Sequence, residues 1–115
     1  MAYPSEHLEQ VQTVSWFRKT YKNVKIFAIP NGGHRNKATA AKLKAEGVLS
    51  GVPDLFIPEF SLWVEMKRQK GGRLSDNQKE MRDYLIECDY DFMMCQGFED
   101  AKVQISEFVE KFVIL

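Results

Sequence analysis

Asp54, Glu65 and Lys67 carry the most concentrated chemistry in the chain. Asp54 ends the run Gly51-Val52-Pro53-Asp54. Two short apolar runs, Leu55-Phe56-Ile57 and Leu62-Trp63-Val64, lie between it and Glu65-Met66-Lys67. Both runs read as strands. Asp54 then opens one strand, while Glu65 and Lys67 close the next and, two residues apart, share a face of it. A hairpin through Pro58-Glu59-Phe60-Ser61 brings both carboxylates and the ammonium to one end of a sheet. Two carboxylates beside a lysine suit a divalent cation and a phosphate. Mg2+ or Mn2+ takes oxygen ligands and keeps water alongside few carboxylates. Such an ion lowers the pKa of a bound water and offsets charge on a scissile phosphate. Asp54 and Glu65 are the metal-ligating candidates, and the Met66 backbone carbonyl offers a further oxygen. Lys67 is suited to orient or deprotonate the attacking water, or to neutralise developing charge.

A P-D…E-x-K pattern alone also describes a turn aspartate and a cross-strand surface pair. The elements around it decide its weight. Residues 5–21 read as a first helix, with Ser5 as N-cap and Leu8, Val11, Val14, Phe17 and Tyr21 as its expected buried stripe. A strand over 24–29 ends at Pro30. The turn Asn31-Gly32-Gly33-His34-Arg35 follows and can bring backbone N–H groups close to a ligand. His34 lacks a Cys or His partner and is read as exposed and DNA-facing, not as a ligand. Residues 37–46 form a short helix between the Asn36 N-cap and Gly47, with Lys42 and Lys44 as candidate phosphate contacts. After Lys67 comes the basic loop Gln69-Lys70-Gly71-Gly72-Arg73. Ser75-Asp76-Asn77-Gln78 opens the main helix as an S-x-x-Q capping box, which explains Gln78 structurally. Its apolar stripe is Met81, Tyr84, Leu85 and Cys88. Phe92-Met93-Met94-Cys95 is a buried strand, and a last helix runs over about 98–112.

The order α-β-α-β-β-α-β-α implies one α/β domain with a small mixed sheet of about four strands and helices on both faces. The helix over 75–88 is a crossover, so the strands it joins should be parallel. The chain of 115 residues is 44% hydrophobic, enough for a packed core and unlike a disordered segment. No apolar run has the length of a membrane span, and the N-terminal residues lack the basic and apolar parts of a signal peptide. Cys88 and Cys95 have no metal-site spacing and read as reduced core thiols of a cytoplasmic protein. Sixteen basic residues balance sixteen acidic ones, which excludes a non-specific polyanion binder. The charges are segregated, however: Lys67, Arg68, Lys70 and Arg73 cluster without an acid, as do Arg35, Lys37, Lys42 and Lys44. A locally basic face can still follow a phosphate backbone.

Pro53-Asp54…Glu65-Met66-Lys67 resembles the active-site signature of the PD-(D/E)xK nuclease superfamily. The wider series is Ile29-Pro30-Asn31-Gly32-Gly33, Leu43-Lys44-Ala45-Glu46-Gly47, Gly51-Val52-Pro53-Asp54-Leu55, Glu65-Met66-Lys67 and Gly72-Arg73-Leu74-Ser75 with Gln78-Lys79. It is similar to the virus-type replication-repair nuclease (VRR-NUC) family in its stand-alone form, from Glu6 to about Phe108. The resemblance implies a restriction-endonuclease-like core and metal-dependent DNA cleavage. It matches Asp54 and Glu65 to metal carboxylates, Lys67 to a catalytic lysine and Gln78 to a glutamine lining the site. It also implies a site glutamate on the first helix, with Glu9 the better fit and Glu6 the alternative. Stand-alone members of the family resemble Holliday-junction resolvases that act as homodimers on four-way junctions; flap cleavage and an inactive DNA-binding module are the alternatives.

Overall fold

The computed structural model describes residues 2–30 and 36–114. Its elements are α1 (Glu6–Thr20), β1 (Phe27–Ala28), α2 (Lys37–Ala45), β2 (Leu55–Ile57), a 3-10 turn (Pro58–Phe60), β3 (Leu62–Lys67), α3 (Asp76–Glu87), β4 (Asp91–Gln96) and α4 (Phe98–Ile114). The sheet order is β1-β2-β3-β4. β2 pairs antiparallel with β1 and β3, and β3 pairs parallel with β4, as the α3 crossover requires. This is the expected α/β architecture with a mixed four-stranded sheet.

Strand alternation sorts the sheet into two unlike faces. Leu55, Ile57, Leu62, Val64, Met66 and Cys95 are buried on one, against Phe17 of α1 and Ala101, Ile105 and Val109 of α4. Each large side chain closed off there contributes roughly 1.5–3 kcal/mol. Phe56, Trp63, Glu65 and Lys67 point the other way, where α3 lies: its Gln78 side chain bonds to Glu65.

Several sequence expectations change. The buried face of α1 is Glu9, Thr13 and Phe17, while Leu8 and Val11 are exposed. The helix is rotated so that Thr13 goes inward, its hydroxyl satisfied by the Glu9 carbonyl at 2.8 Å, and Trp16 packs edge-on to Tyr21 and Phe98. β1 is two residues long, not six. Its partner β2 is itself only three residues long and pairs with β1 at Leu55 and Phe56, with one further bond from the Ile29 N–H to the Asp54 carbonyl at 2.8 Å. Of the expected α3 stripe only Leu85 is buried; Tyr84 and Cys88 are exposed. The run Phe92-Met93-Met94 is half-buried, because it lies in an edge strand. Cys95 is the core thiol, and burial pushes its pKa up to about 12. No helix among the described residues is long and apolar enough to cross a membrane.

Candidate active site

The β2–β3 ladder pairs Leu55 with Val64, so Asp54 lies opposite Glu65 at the open end of the hairpin. Asp54 Oδ2 accepts the Met66 N–H at 2.8 Å. Continuing the register, Met66 faces Pro53, and a strand residue turns its N–H and C=O to the same neighbour. Asp54 takes the N–H, and proline has no N–H to give the carbonyl. The Met66 oxygen therefore faces the two carboxylates without a ladder donor from β2. The carbonyl of Lys67, one residue on, faces β4 and accepts the Gly97 N–H at 2.8 Å.

Glu65 is 2% exposed. Lys67 Nζ stands 3.6 Å from its Oε2, and Gln78 Nε2 donates to the same oxygen at 2.9 Å. Burial, then the facing Asp54 charge, pushes the Glu65 carboxyl up to about 8, against the smaller pull of Lys67. Burial also raises Asp54, opposed by the Met66 N–H and by the hydrogen bond with Glu65. Two carboxyls at one point cannot both stay charged at low cost. The raised value of Glu65 places the shared proton on that carboxyl.

Gln78 serves two structures at once. Its Oε1 accepts the Ser75 N–H at 2.8 Å while Ser75 Oγ accepts the Gln78 N–H at 3.2 Å, completing the capping box. The other end of its amide reaches Glu65. The start of α3 is fixed by the Gly51 segment. Gly51 has φ +91°, and a Cβ there would meet the Asn77 carbonyl oxygen at 2.5 Å, so only glycine lets the loop approach this closely. Asn77 Nδ2 also donates to Ser50 Oγ at 3.1 Å.

Of the two candidate glutamates of α1, the structure turns Glu9 towards the start of α4 and sets Glu6 nearer the carboxylates. Glu9 is 2% exposed, and its Oε1 accepts the Phe98 N–H at 3.2 Å, at the start of α4. A Cβ on Gly97 would come within 2.6 Å of its other oxygen, which is buried without a partner among the described residues. Glu9 thus caps a helix on the core side of the sheet. Glu6, one turn earlier, is the α1 acid that feels the site: its carboxyl is raised by burial and by Asp54 and lowered by Lys67, and its charge acts in turn on Glu65. The preference for Glu9 came from the family resemblance and not from spacing, which read a helical glutamate as solvated. The acid one turn away on an exposed face carried no signal of its own.

The candidate phosphate-binding cations Lys42, Lys44, Arg68, Lys70 and Arg73 are all exposed, and none forms a salt bridge among the described residues. Arg68 and Lys70 line an open cleft with Glu6 and Tyr3. Gly72 lies against Lys67, where a Cβ would meet the Lys67 Cβ at 2.7 Å, and this holds the basic loop over the lysine. Asn31, Gly32, Gly33, His34 and Arg35 lie outside the described residues.

The pattern of the VRR-NUC domain matches residues 2–99. The chain belongs to the VRR-NUC family. That family is one of nucleases within the PD-(D/E)xK superfamily. A solved structure described as a "VRR_NUC domain protein" superposes with a TM-score of 0.76 at 22% identity, covering 96% of this chain and 92% of that one. At that identity the likeness carries the fold. A comparison with curated proteins finds no match. Within this VRR-NUC domain the fold brings Asp54, Glu65, Met66, Lys67 and Gln78 together, with Glu6 at the margin.

Donor chemistry tests the fit of a metal. Among the described residues no three His, Cys, Asp or Glu side chains converge as a cage. Two carboxylates and a carbonyl form a hard, oxygen-only, incomplete set. Mg2+ is held in this way, through one or two carboxylates with water and substrate phosphate in the remaining positions.

Proposed function

We propose that the chain is a divalent-metal-dependent DNA endonuclease acting on branched DNA, with a four-way junction as its principal substrate and a homodimer as its working form. The carrying observation is the convergence of the Asp54 and Glu65 carboxyls, paired across the hairpin, with the Lys67 ammonium at one end of the sheet. Mg2+ or Mn2+, when bound, supplies Lewis-acid polarisation of the scissile phosphate and a nucleophilic water at neutral pH. Asp54, Glu65 and the Met66 carbonyl hold it. Met66 N–H fixes Asp54 in place, and Gln78 fixes Glu65. Lys67, its side chain only 12% exposed, carries its Nζ to the same point and meets the charge that builds on the phosphate. Glu6 adds negative potential from the margin. The unpaired cations Arg68, Lys70 and Arg73 follow directly on β3, with Lys42 and Lys44 on α2, and suit contacts to backbone phosphates.

Contacts to backbone phosphates from an exposed basic loop carry no base information and suit shape-selective recognition. A two-fold dimer sets two equal sites against the two equivalent strands of a junction. Support for it comes from α2, which buries no residue against its own chain, and from the open groove of about 1070 Å3 between α2 and α3, where Leu49 and Tyr84 are exposed.

The test is cleavage of a labelled panel of four-way junction, flap, linear duplex and single strand with Mg2+ or Mn2+. The expected result is preferential junction cutting by the native protein. Lys67→Ala should still bind the junction but not cut it. Undiminished cutting by that variant, or equal cutting of junction and linear duplex, overturns the reading.

A further inference from the structure

An aromatic row runs across the sheet beside the carboxylates. Phe27 pairs with Phe56, and Phe56 with Trp63. The Phe27 and Phe56 rings are 5.8 Å apart at 76°, Phe56 and Trp63 are 4.3 Å apart at 32°, and Trp63 and Tyr90 are 6.2 Å apart at 71°. Alternation along β3 puts Trp63 on the same face as Glu65 and Lys67.

This row differs from the core on the other face. There Leu55, Ile57, Leu62 and Val64 are fully buried. Here the two ends stay open, Phe27 at 44% and Tyr90 at 37% exposure. Phe27 sits on a two-residue edge strand, whose own pairing calls for no large ring. The result is a row of rings, in edge-to-face and tilted contact, that begins at the β1 edge and ends at the turn before β4. It is continuous with the candidate site. One two-residue step along β3, roughly 6.7 Å, separates Trp63 from Glu65, a distance that one nucleotide of backbone spans. The order along β3 is then ring, carboxylate, lysine, and after the strand Arg68 and Lys70.

We propose that the Phe27–Phe56–Trp63–Tyr90 row is a stacking ledge for an unpaired nucleobase of the DNA strand whose phosphate lies at Asp54 and Glu65. The inference rests on the nuclease reading and adds to it what the site selects. Bases inside a duplex are stacked on one another and have no free face to offer. A base splayed out at a branch point does, and stacking on an aromatic ring accepts any base. The ledge thus favours DNA with an unpaired nucleotide next to the scissile phosphate. The basic loop beyond Lys67 takes up the backbone on the other side of the cut.

The experiment is binding without metal, in EDTA, so that no strand is cut. The probes are a fluorescein-labelled oligothymidylate, a blunt duplex of equal length, and a four-way junction with one unpaired nucleotide at the branch. Phe27→Ala should weaken oligothymidylate and unpaired-junction binding between about fivefold and about a hundredfold, the scale of one lost base–aromatic stack. Blunt-duplex binding should stay unchanged, and Phe27→Trp should restore the loss. Phe27→Leu keeps an apolar side chain without a π-face and carries the same test should the alanine variant fold poorly. In a Trp16→Phe background, Trp63 emission should be quenched by oligothymidylate. Native affinity of the alanine variant for single strands overturns the ledge and leaves the nuclease reading standing where junction cleavage persists. Equal loss on duplex and single strand also overturns it. Failure of the native chain to bind any of the three DNAs overturns both.

Discussion

Gln78 gives the sharpest separation between scaffold and chemistry, because one side chain serves both. Ser75→Ala removes the Ser75 Oγ–Gln78 N–H bond but leaves the Gln78 amide on Glu65. The loss is that of an N-cap, about 1 kcal/mol, or about 4 °C in Tm for a domain of this length. Gln78→Ala removes the reciprocal half of the capping box and the bond to Glu65 Oε2 as well. Its stability loss should be similar, since alanine favours the helix interior and offsets part of the lost cap. Its chemistry should differ. Groups that orient a metal-binding side chain typically change affinity or activity by about 10- to 100-fold. Thermal melts followed by circular dichroism give the stabilities; Mn2+ titration calorimetry and junction cleavage, both well below either Tm, give the function. The expected pattern is two destabilised proteins, of which only Gln78→Ala loses Mn2+ affinity and rate. If Ser75→Ala loses as much activity as Gln78→Ala, the amide acts as a cap alone and the bond to Glu65 has no catalytic consequence.

The raised Glu65 carboxyl makes the metal-free protein sensitive to pH. Its folded-state value, about 8, lies above the ordinary 4.5, so the stability its proton confers is complete below about 4.5 and is lost as pH rises through 8, at up to about 1.4 kcal/mol per pH unit. Urea melts in EDTA across that window should show this fall, and Glu65→Gln should flatten it; an unchanged slope in the variant would refute the assignment. Because the cation displaces the proton, the Tm gain from Mn2+ should be larger at about pH 8.5 than at about pH 6. Glu9→Ala should cost about 1–3 kcal/mol through the lost α4 cap and leave Mn2+ affinity intact, whereas Glu6→Gln should melt like the native protein and bind Mn2+ more weakly; the reverse pattern would return the α1 ligand to Glu9. Pro53→Ala gives Met66 the ladder N–H it lacks, and should lower Mn2+ affinity about two- to tenfold, the worth of one competing hydrogen bond, without loss of fold stability. Unaltered affinity there would count against the Met66 carbonyl as a ligand.

Local signals in the sequence carried far. The Ser5, Asn36 and Ser75 caps sit at the helix starts, each accepting the expected N–H. The hairpin and the α3 crossover set the strand directions, because short connections and right-handed crossovers leave little choice. What was not legible depended on packing between elements. Leu8 and Val11 suit a helix stripe by spacing, but the neighbours of α1 accept Glu9 and Thr13 instead. An inward carboxylate there is tolerated only because the first N–H groups of α4 need an acceptor. That need arises 89 residues away in sequence, beyond the reach of any local pattern. Cys88 and Tyr84 fall on the apolar stripe by periodicity but are exposed in the fold.

The site is assembled where the regular ladder stops. Two register steps beyond Leu55 and Val64, where Met66 faces Pro53, a proline replaces a donor, and the carboxylate of the neighbouring Asp54 takes over the abandoned N–H. Regular pairing at that step would satisfy Met66 completely and leave no oxygen facing outward. The break gives the strand end a fixed carboxylate, an unclaimed carbonyl and, one residue either side of it on β3, Glu65 and Lys67 on the opposite face. Physical meaning thus attaches to each letter of the Pro-Asp pair: the first residue withholds a hydrogen bond and the second redirects one. The same logic explains why α3 must begin against Gly51. The amide of Gln78, on the first turn of the helix held by that close approach, gives Glu65 a neutral donor, so that Glu65 is oriented without a second full charge beside that of Lys67.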